Sequence, residues 1–361
     1  MQKKLCEISS PKQWKTISSD MLIADGYPVY GANGIIGYYN EYNHECETLL
    51  ITCRGATCGA LNICQPYSYV NGNAMALDNL SDDVDIKYLY YYLLNRGLSD
   101  VITGSAQPQI VRQSLDKVMV EYPSLSKQKE IASNLNRIEE LISFRTSQLS
   151  KLDELVKSRF IELFGDVALN PNGYPVRDFD EISVLITDGE HATPRRTEEG
   201  IYLLSARNVL NHTLQLDDVD YIDEEEYNRI ARRVIPQAGD VLISCSGSIG
   251  RCCVVPDGLK FQMVRSAALI RFDDTINPIF AEWLITSDDL QRQIAQSATQ
   301  SSQANLFQGK IRKLHGYVPP MELQNQFAAF IEQTDKLKFE VKEALEKLET
   351  LKKSLMQQYF G

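Results

Sequence analysis

Few groupings in this chain could do covalent chemistry. Asp188-Gly-Glu-His191 places two carboxylates and an imidazole within four residues, a spacing that could ligate a metal ion or exchange protons. It runs directly into Ala192-Thr-Pro-Arg-Arg196, so polar and cationic groups accumulate in one short stretch, which suits recognition better than catalysis. Ser246-Gly-Ser-Ile-Gly250 would expose backbone N–H groups able to receive a phosphate oxygen, or would simply connect two strands. Gly309-Lys310 is followed by Ile311 and lacks the upstream glycine of a phosphate-cradling loop. Asn170-Pro-Asn-Gly173 lacks the second proline and the aromatic of an adenine-methyltransferase loop, and reads as a turn. Pro256-Asp257 opens no nuclease signature, because no (D/E)-x-K follows at a suitable distance. Eight cysteines and four histidines supply no paired metal-ligand spacing, and most of the cysteines sit in apolar, strand-like runs as small hydrophobic residues. The expectation is a chain with no catalytic residue, no metal and no cofactor.

Composition bounds the remaining classes. With 361 residues, 43% apolar and 24% charged, the chain is long enough for two domains with their own cores. It has no apolar run of membrane-spanning length and no signal-peptide core behind Met1-Gln-Lys-Lys-Leu, which points to the cytoplasm. The net charge of −11 argues against a protein that grips nucleic acid alone and non-specifically. Between Asp166 and Met321, however, twelve Arg stand against three Lys, amid twenty-two acidic residues. Arginine forks can pair with guanine edges or phosphates, so this bias suits a protein that reads bases while partners hold the backbone.

The elements that must position such residues are announced by a repeat. Shifted by 196, Pro123–Gln128 falls on Pro319–Gln324, Leu141, Leu149, Leu152 and Leu155 fall on Leu337, Leu345, Leu348 and Leu351, and Phe164-Gly165 falls on Phe360-Gly361. Ile131, Leu135, Ile138, Ile142, Leu149, Leu152, Val156 and Leu163 follow steps of four and three, a coiled-coil pattern broken only at Arg145 and Arg159. Ser126 suits an N-cap and Gly165 a left-handed C-cap. Each helix should span roughly 55–60 Å at 1.5 Å per residue. A single such helix would suggest a homodimer zipper. Two in one chain favour each other at high effective concentration, and twofold pairing of near-identical faces makes them antiparallel. The eight leucines named above are the expected pairing or partner-docking residues.

The segments before the helices diverge. Leu49–Gly55 still aligns with Val241–Gly247, Asn73–Leu77 resembles Ser266–Ile270, and Gln107, Gln109, Gln303 and Asn305 recur. Strands are expected at 201–205, 240–245 and 266–272, a deeply packed segment at 88–94, a helix over 280–295, and a solvated acidic surface over 217–226. The fold class is mixed α/β (α+β), with two globular domains, two long antiparallel coiled-coil helices and a pseudo-twofold repeat. The expected boundaries are 1–122, 123–165, 166–318 and 319–361.

Taken in order, Gly26–Gly37, Leu50–Gly55, Gly104–Ile110, Gly189–Pro194, Leu204–Asn208, Gly239–Ser244 and Gly247–Gly250, with the duplicated P-x-L-x-x-Q-like openings, resemble the specificity subunit of type I restriction–modification systems. The resemblance covers essentially the whole chain. It implies a non-catalytic subunit that binds double-stranded DNA, each domain reading half of a bipartite site, while the helices set the spacing and dock two modification (methyltransferase) subunits, with restriction subunits joining them. On that reading the DNA-contacting residues are Tyr30, Asn33, Arg54 and Asn73 in the first domain. In the second they are His191, Thr193, Arg195, Arg196, Arg207, Ser248, Arg251 and Arg265. Each is also compatible with a surface or fold-supporting role. The competing class is a coiled-coil adaptor that never touches bases.

Overall fold

The computed structural model describes the chain except residues 33, 105–106 and 298–304. The chain divides into two compact units, Met1–Ser147 with Val341–Gly361, and Gln148–Glu340. Two 40-residue helices, Leu125–Phe164 and Met321–Phe360, each begin in one unit and end in the other.

In the first unit an antiparallel sheet runs in the order Ser10–Gln13, Ala74–Asp78, Thr48–Thr52, Leu61–Cys64. Three further strands join as Gly34–Tyr39, Tyr27–Gly31 and Tyr69–Val70, antiparallel and then parallel. Gln2–Lys4 pairs with Met119–Glu121 just before the first long helix. The core packs the sheet residues Leu49, Ile51 and Met75 against Leu89, Tyr91 and Leu93 of helix Ile86–Arg96 and against Ile131 and Leu135 of the long helix. The tyrosine-rich run at 88–94 is helical and buries Tyr88, Leu89, Tyr91 and Leu93 while leaving Leu94 exposed; the Asp85 cap of this helix accepts from the Lys87 and Tyr88 N–H groups.

The second unit repeats these three sheets and adds a hairpin, Val209–Leu210 with Thr213–Leu214. Its four strands are Ser183–Asp188, Ala267–Phe272, Val241–Ser244 and Cys252–Val254, all antiparallel. Its three are Asp220–Ile222, Ile201–Leu204 and Phe261–Met263, again antiparallel then parallel. Val176–Asp178 pairs with His315–Tyr317. The expected helix over 280–295 is two helices, Pro278–Ile285 and Asp288–Ser297. Phe160 and Phe164 of the first long helix, Phe280 of the domain helix and Phe327 of the second long helix form one aromatic centre, with ring centroids 4.9–6.0 Å apart.

Within each unit the long helices pair antiparallel. In the first, Asn134 donates to the Tyr359 hydroxyl at 3.3 Å and Lys352 meets Glu139 at 2.6 Å. In the second, Lys338 meets Asp153 at 2.7 Å while Phe160 packs on Phe327. The buried seam of the second helix follows Gln324, Phe327, Ile331, Thr334 and Val341. Of the eight leucines assigned to pairing or docking, Leu149, Leu152, Leu345 and Leu348 are half-buried. Leu141, Leu155, Leu337 and Leu351 are exposed, one position off the seam, where Lys338 and Lys352 take the inward places beside Leu337 and Leu351. Arg159, which interrupts the apolar frame, pairs with Glu162 at 2.8 Å and lies over the Phe330 ring. The first helix starts one residue before Ser126, at Leu125, and Gly165 closes it at φ 78° with its N–H on the Ile161 carbonyl.

Candidate nucleic-acid interface

Equivalent loops meet at one corner of the four-stranded sheet in both units. In the first, strand Thr48–Thr52 leads into Cys53 and the turn from Arg54 to Gly59. The Cys53 N–H donates to the Asn73 carbonyl (3.0 Å), the Ile110 N–H donates to the Cys53 carbonyl (3.0 Å), and Arg54 bridges Gln109. The Thr52 hydroxyl donates to the Ala32 carbonyl at 2.5 Å, fixing the turn after strand Tyr27–Gly31. In the second unit, the Cys245 N–H donates to the Ser266 carbonyl (2.8 Å), the Leu306 N–H donates to the Cys245 carbonyl (2.9 Å), and Ser246 bridges Asn305. The Ser244 hydroxyl closes the following turn on the Ser248 carbonyl at 2.6 Å. Backbone pairing thus puts Arg54 where Ser246 stands, and Asn73 where Ser266 stands.

The arrangement places the expected residues unevenly. Arg54 and Asn73 are exposed at this corner, while Tyr30 is buried, its hydroxyl accepting from the Gln65 N–H and its pKa pushed up by burial. Asn33 lies outside the described residues. In the second unit the loop behind strand Ser183–Asp188 is tied to the same corner. The Glu190 N–H donates to the Met263 carbonyl, the Arg265 N–H donates to the Glu190 carbonyl, and the Ala206 N–H donates to the Ser266 hydroxyl. These bonds bring the loops carrying His191, Arg207, Ser248, Arg251 and Arg265 together. Gly189 permits the close approach, since a Cβ there would lie 2.4 Å from the Met263 carbonyl oxygen. Thr193, Arg195 and Arg196 are exposed around the buried Pro194, and the Arg195 N–H donates to the Glu226 carboxylate at 3.1 Å.

Charge pairing separates two kinds of arginine. Arg195 meets Asp223 and Glu225 at 2.8 and 2.7 Å, Arg196 meets Asp220 at 3.0 Å, and Arg207 meets Asp220 at 3.1 Å. The Glu225 and Asp223 carboxylates raise the Arg195 pKa further. The acidic stretch at 217–226 is therefore no plain solvated surface. It forms strand Asp220–Ile222 and helix Glu224–Ala231, supplies counter-charges to Arg195, Arg196, Arg207 and Arg229, and buries Glu226, whose pKa is lowered chiefly by Arg229. These pairs are solvent-exposed, and water and salt screen them. The guanidinium groups of Arg54, Arg251 and Arg265 have no carboxylate partner among the described residues.

The sequence reading missed Arg233, which pairs with the same Asp188 that accepts from His191 at 2.8 Å. Forty-five residues separate Arg233 from Asp188, and no local pattern marks the pair. Glu190 turns to the Ala192 N–H and Arg229, so the Asp-Glu-His run is divided between two ionic partners. Among the described residues, no three His, Cys, Asp or Glu side chains are placed to hold a metal ion, and no helix is long and apolar enough to cross a membrane.

Residues 2–154 match the model of the type I restriction modification DNA specificity domain. A Haemophilus influenzae protein named as a candidate type I restriction enzyme specificity subunit is 23% identical over 356 residues, which cover 92% of this chain and 86% of that one. The EcoBI specificity subunit of Escherichia coli is 21% identical, with 94% and 75% covered. The crystal structure of an S subunit of a type I restriction–modification system from M. genitalium superposes with a TM-score of 0.70 at 15% identity, covering 100% of this chain and 96% of that one.

Proposed function

We propose, from the premise that this chain belongs to the specificity-subunit family of type I restriction–modification systems, that each unit reads one half of a bipartite DNA site through its sheet-corner loops. The observation that carries this reading is the duplication of the corner itself. Matched backbone bonds hold matched turns, yet the side chains they present differ: Arg54 and Asn73 in one, Ser246, Ser248, Arg251, Arg265 and His191 in the other. A common scaffold with divergent exposed polar groups is what reading two different sequences requires. Asn33 and Tyr30 complete the first set, Tyr30 as a buried support for strand Tyr27–Gly31.

The subunit works without a catalytic centre of its own and in the cytoplasm, with methylation and cleavage supplied by modification and restriction subunits. The chain carries 48 acidic against 37 basic residues, so partners must contribute much of the phosphate neutralisation. The exposed Leu141, Leu155, Leu337 and Leu351, flanked by exposed Phe144 and Phe339, offer apolar docking positions for those subunits on the long helices. The expected domain limits of 1–122, 123–165, 166–318 and 319–361 remain the units to exchange. Replacing 166–318 with the matching segment of a relative, then mapping methylated sites in the cell, should change one half of the methylated sequence and preserve the other. A methylated sequence unchanged in both halves would favour the coiled-coil adaptor instead.

A further inference from the structure

The long helices open with a glutamine whose role the sequence motif leaves unexplained. Gln128 and Gln324 are both fully buried at the surface between the long helix and the domain. The Gln128 Oε1 accepts from the Asp85 N–H at 2.8 Å, and its Nε2 donates to the Asp83 carbonyl at 2.8 Å and the Pro123 carbonyl at 3.0 Å. In the other unit the Gln324 Oε1 accepts from the Asn277 N–H at 2.8 Å, and its Nε2 donates to the Thr275 carbonyl at 3.0 Å and the Pro319 carbonyl at 2.8 Å. The two sets correspond bond for bond. Asp85 and Asn277 are the N-cap residues of the domain helices Ile86–Arg96 and Pro278–Ile285. Both amide N–H groups are used, and both on carbonyls. Glutamate would turn a carboxylate oxygen toward two carbonyl oxygens, and methionine would leave buried backbone groups unpaired.

Each amide also leads on to the recognition corner of its own unit. Helix Ile86–Arg96 packs Leu89, Tyr91 and Leu93 in one core with Leu49 and Ile51, in the strand that ends at Thr52, two residues before Arg54. Helix Pro278–Ile285 presents Glu282, buried, whose carboxylate accepts from the Val254 N–H at 2.9 Å, in the strand that follows Arg251.

Resting on the function proposed above, we propose that Gln128 and Gln324 are twin positioning residues, each orienting one recognition unit's loops against the helix it shares. Neither touches DNA; each acts through the N-cap residue of the domain helix. A positioning role alters which bases are preferred in one half-site while that unit's stability to chemical unfolding holds, whereas a merely structural contribution lowers the unit's stability and its total methylation without changing the bases preferred.

The test uses complexes of the full chain with its modification subunits, given duplexes randomised in both half-sites, with methylated products sequenced. The segment exchange described above identifies which half belongs to which unit. Gln128→Glu should lower base selectivity in the first unit's half-site by about tenfold or more, the scale set by buried unpaired groups, and leave the second intact. Gln324→Glu should do the converse. Where a glutamate variant fails to assemble, Gln128→Met and Gln324→Met give the same comparison with a milder lesion. Equal loss in both half-sites, or unchanged selectivity in the methionine variants, overturns the inference. Absence of any bipartite preference in the unsubstituted complex instead overturns the proposed function itself, and the positioning role with it.

Discussion

Arg54 is the only Lys or Arg between Lys15 and Lys87, a span that holds nine Asp and Glu. It stands exposed at the recognition corner of the first unit, and its guanidinium has no carboxylate partner among the described residues. Arg54→Ala therefore breaks no internal ion pair, and folding stability should stay within about 0.5 kcal/mol. Its effect on DNA should be large, because no neighbouring cation in that span can substitute. A bidentate contact to guanine is worth about 1–3 kcal/mol, so affinity for the preferred first half-site should fall roughly 5- to 150-fold. Duplexes altered at that base should lose far less, and discrimination at that position should collapse. A phosphate contact has a different signature, uniform weakening across sequences and a salt slope lower by about 1. Arg54→Lys sharpens the distinction, since a lysine keeps the charge and loses the fork. Fluorescence anisotropy of the assembled complex, titrated against duplexes varied at each first-half position and at two salt concentrations, separates the cases. Binding by Arg54→Ala within twofold of the parent on every duplex, with an unchanged salt slope, refutes the reasoning.

Three further outcomes follow from the packing and charge. Gly189→Ala drives a Cβ against the Met263 carbonyl; a cost of about 1–3 kcal/mol is expected in chemical unfolding, with base selectivity lost only in the second unit's half-site. Phe164→Ala removes a fully buried ring from the aromatic centre of the second unit, and calorimetry should register a loss of about 3–5 kcal/mol. The Ser81 hydroxyl, followed by Lys3 and the Tyr122 hydroxyl, holds the Asp83 carboxyl down at about 2, below its ordinary 3.8. A depressed carboxylate stabilises the fold above its unfolded pKa and loses that contribution as pH falls through the folded one. Asp83→Asn should therefore flatten the acid limb of the stability curve between about 4 and about 2, seen by circular dichroism, and a limb of unchanged slope would contradict the assignment.

Both long helices and their antiparallel pairing are legible in the sequence, because heptad periodicity and a gapless repeat are local, additive signals. Strands at 201–204, 241–244 and 267–272 are legible for the same reason, as apolar runs bounded by turns. The seam itself was less so. Leu337 and Lys338 are neighbours, and only the fit of the facing helix turns the lysine inward to Asp153 and leaves the leucine exposed.

The recognition corner shows the limit more sharply. Residue types suggested arginines at 195, 196 and 207 as DNA contacts or surface residues, and the segment between 220 and 231 brings carboxylates onto all three, which no residue type foretells. Tyr30 belongs to a strand buried on both faces from Val29 to Gly31, so its ring enters the core. The sequence by itself determined that this chain is one plan used twice, since a duplication leaves matched residues at a fixed offset. Which side chains that plan exposes was decided by tertiary structure alone, through hydrogen bonds and ion pairs between residues tens to more than a hundred positions apart. Pairings at that separation leave no periodic trace along the chain.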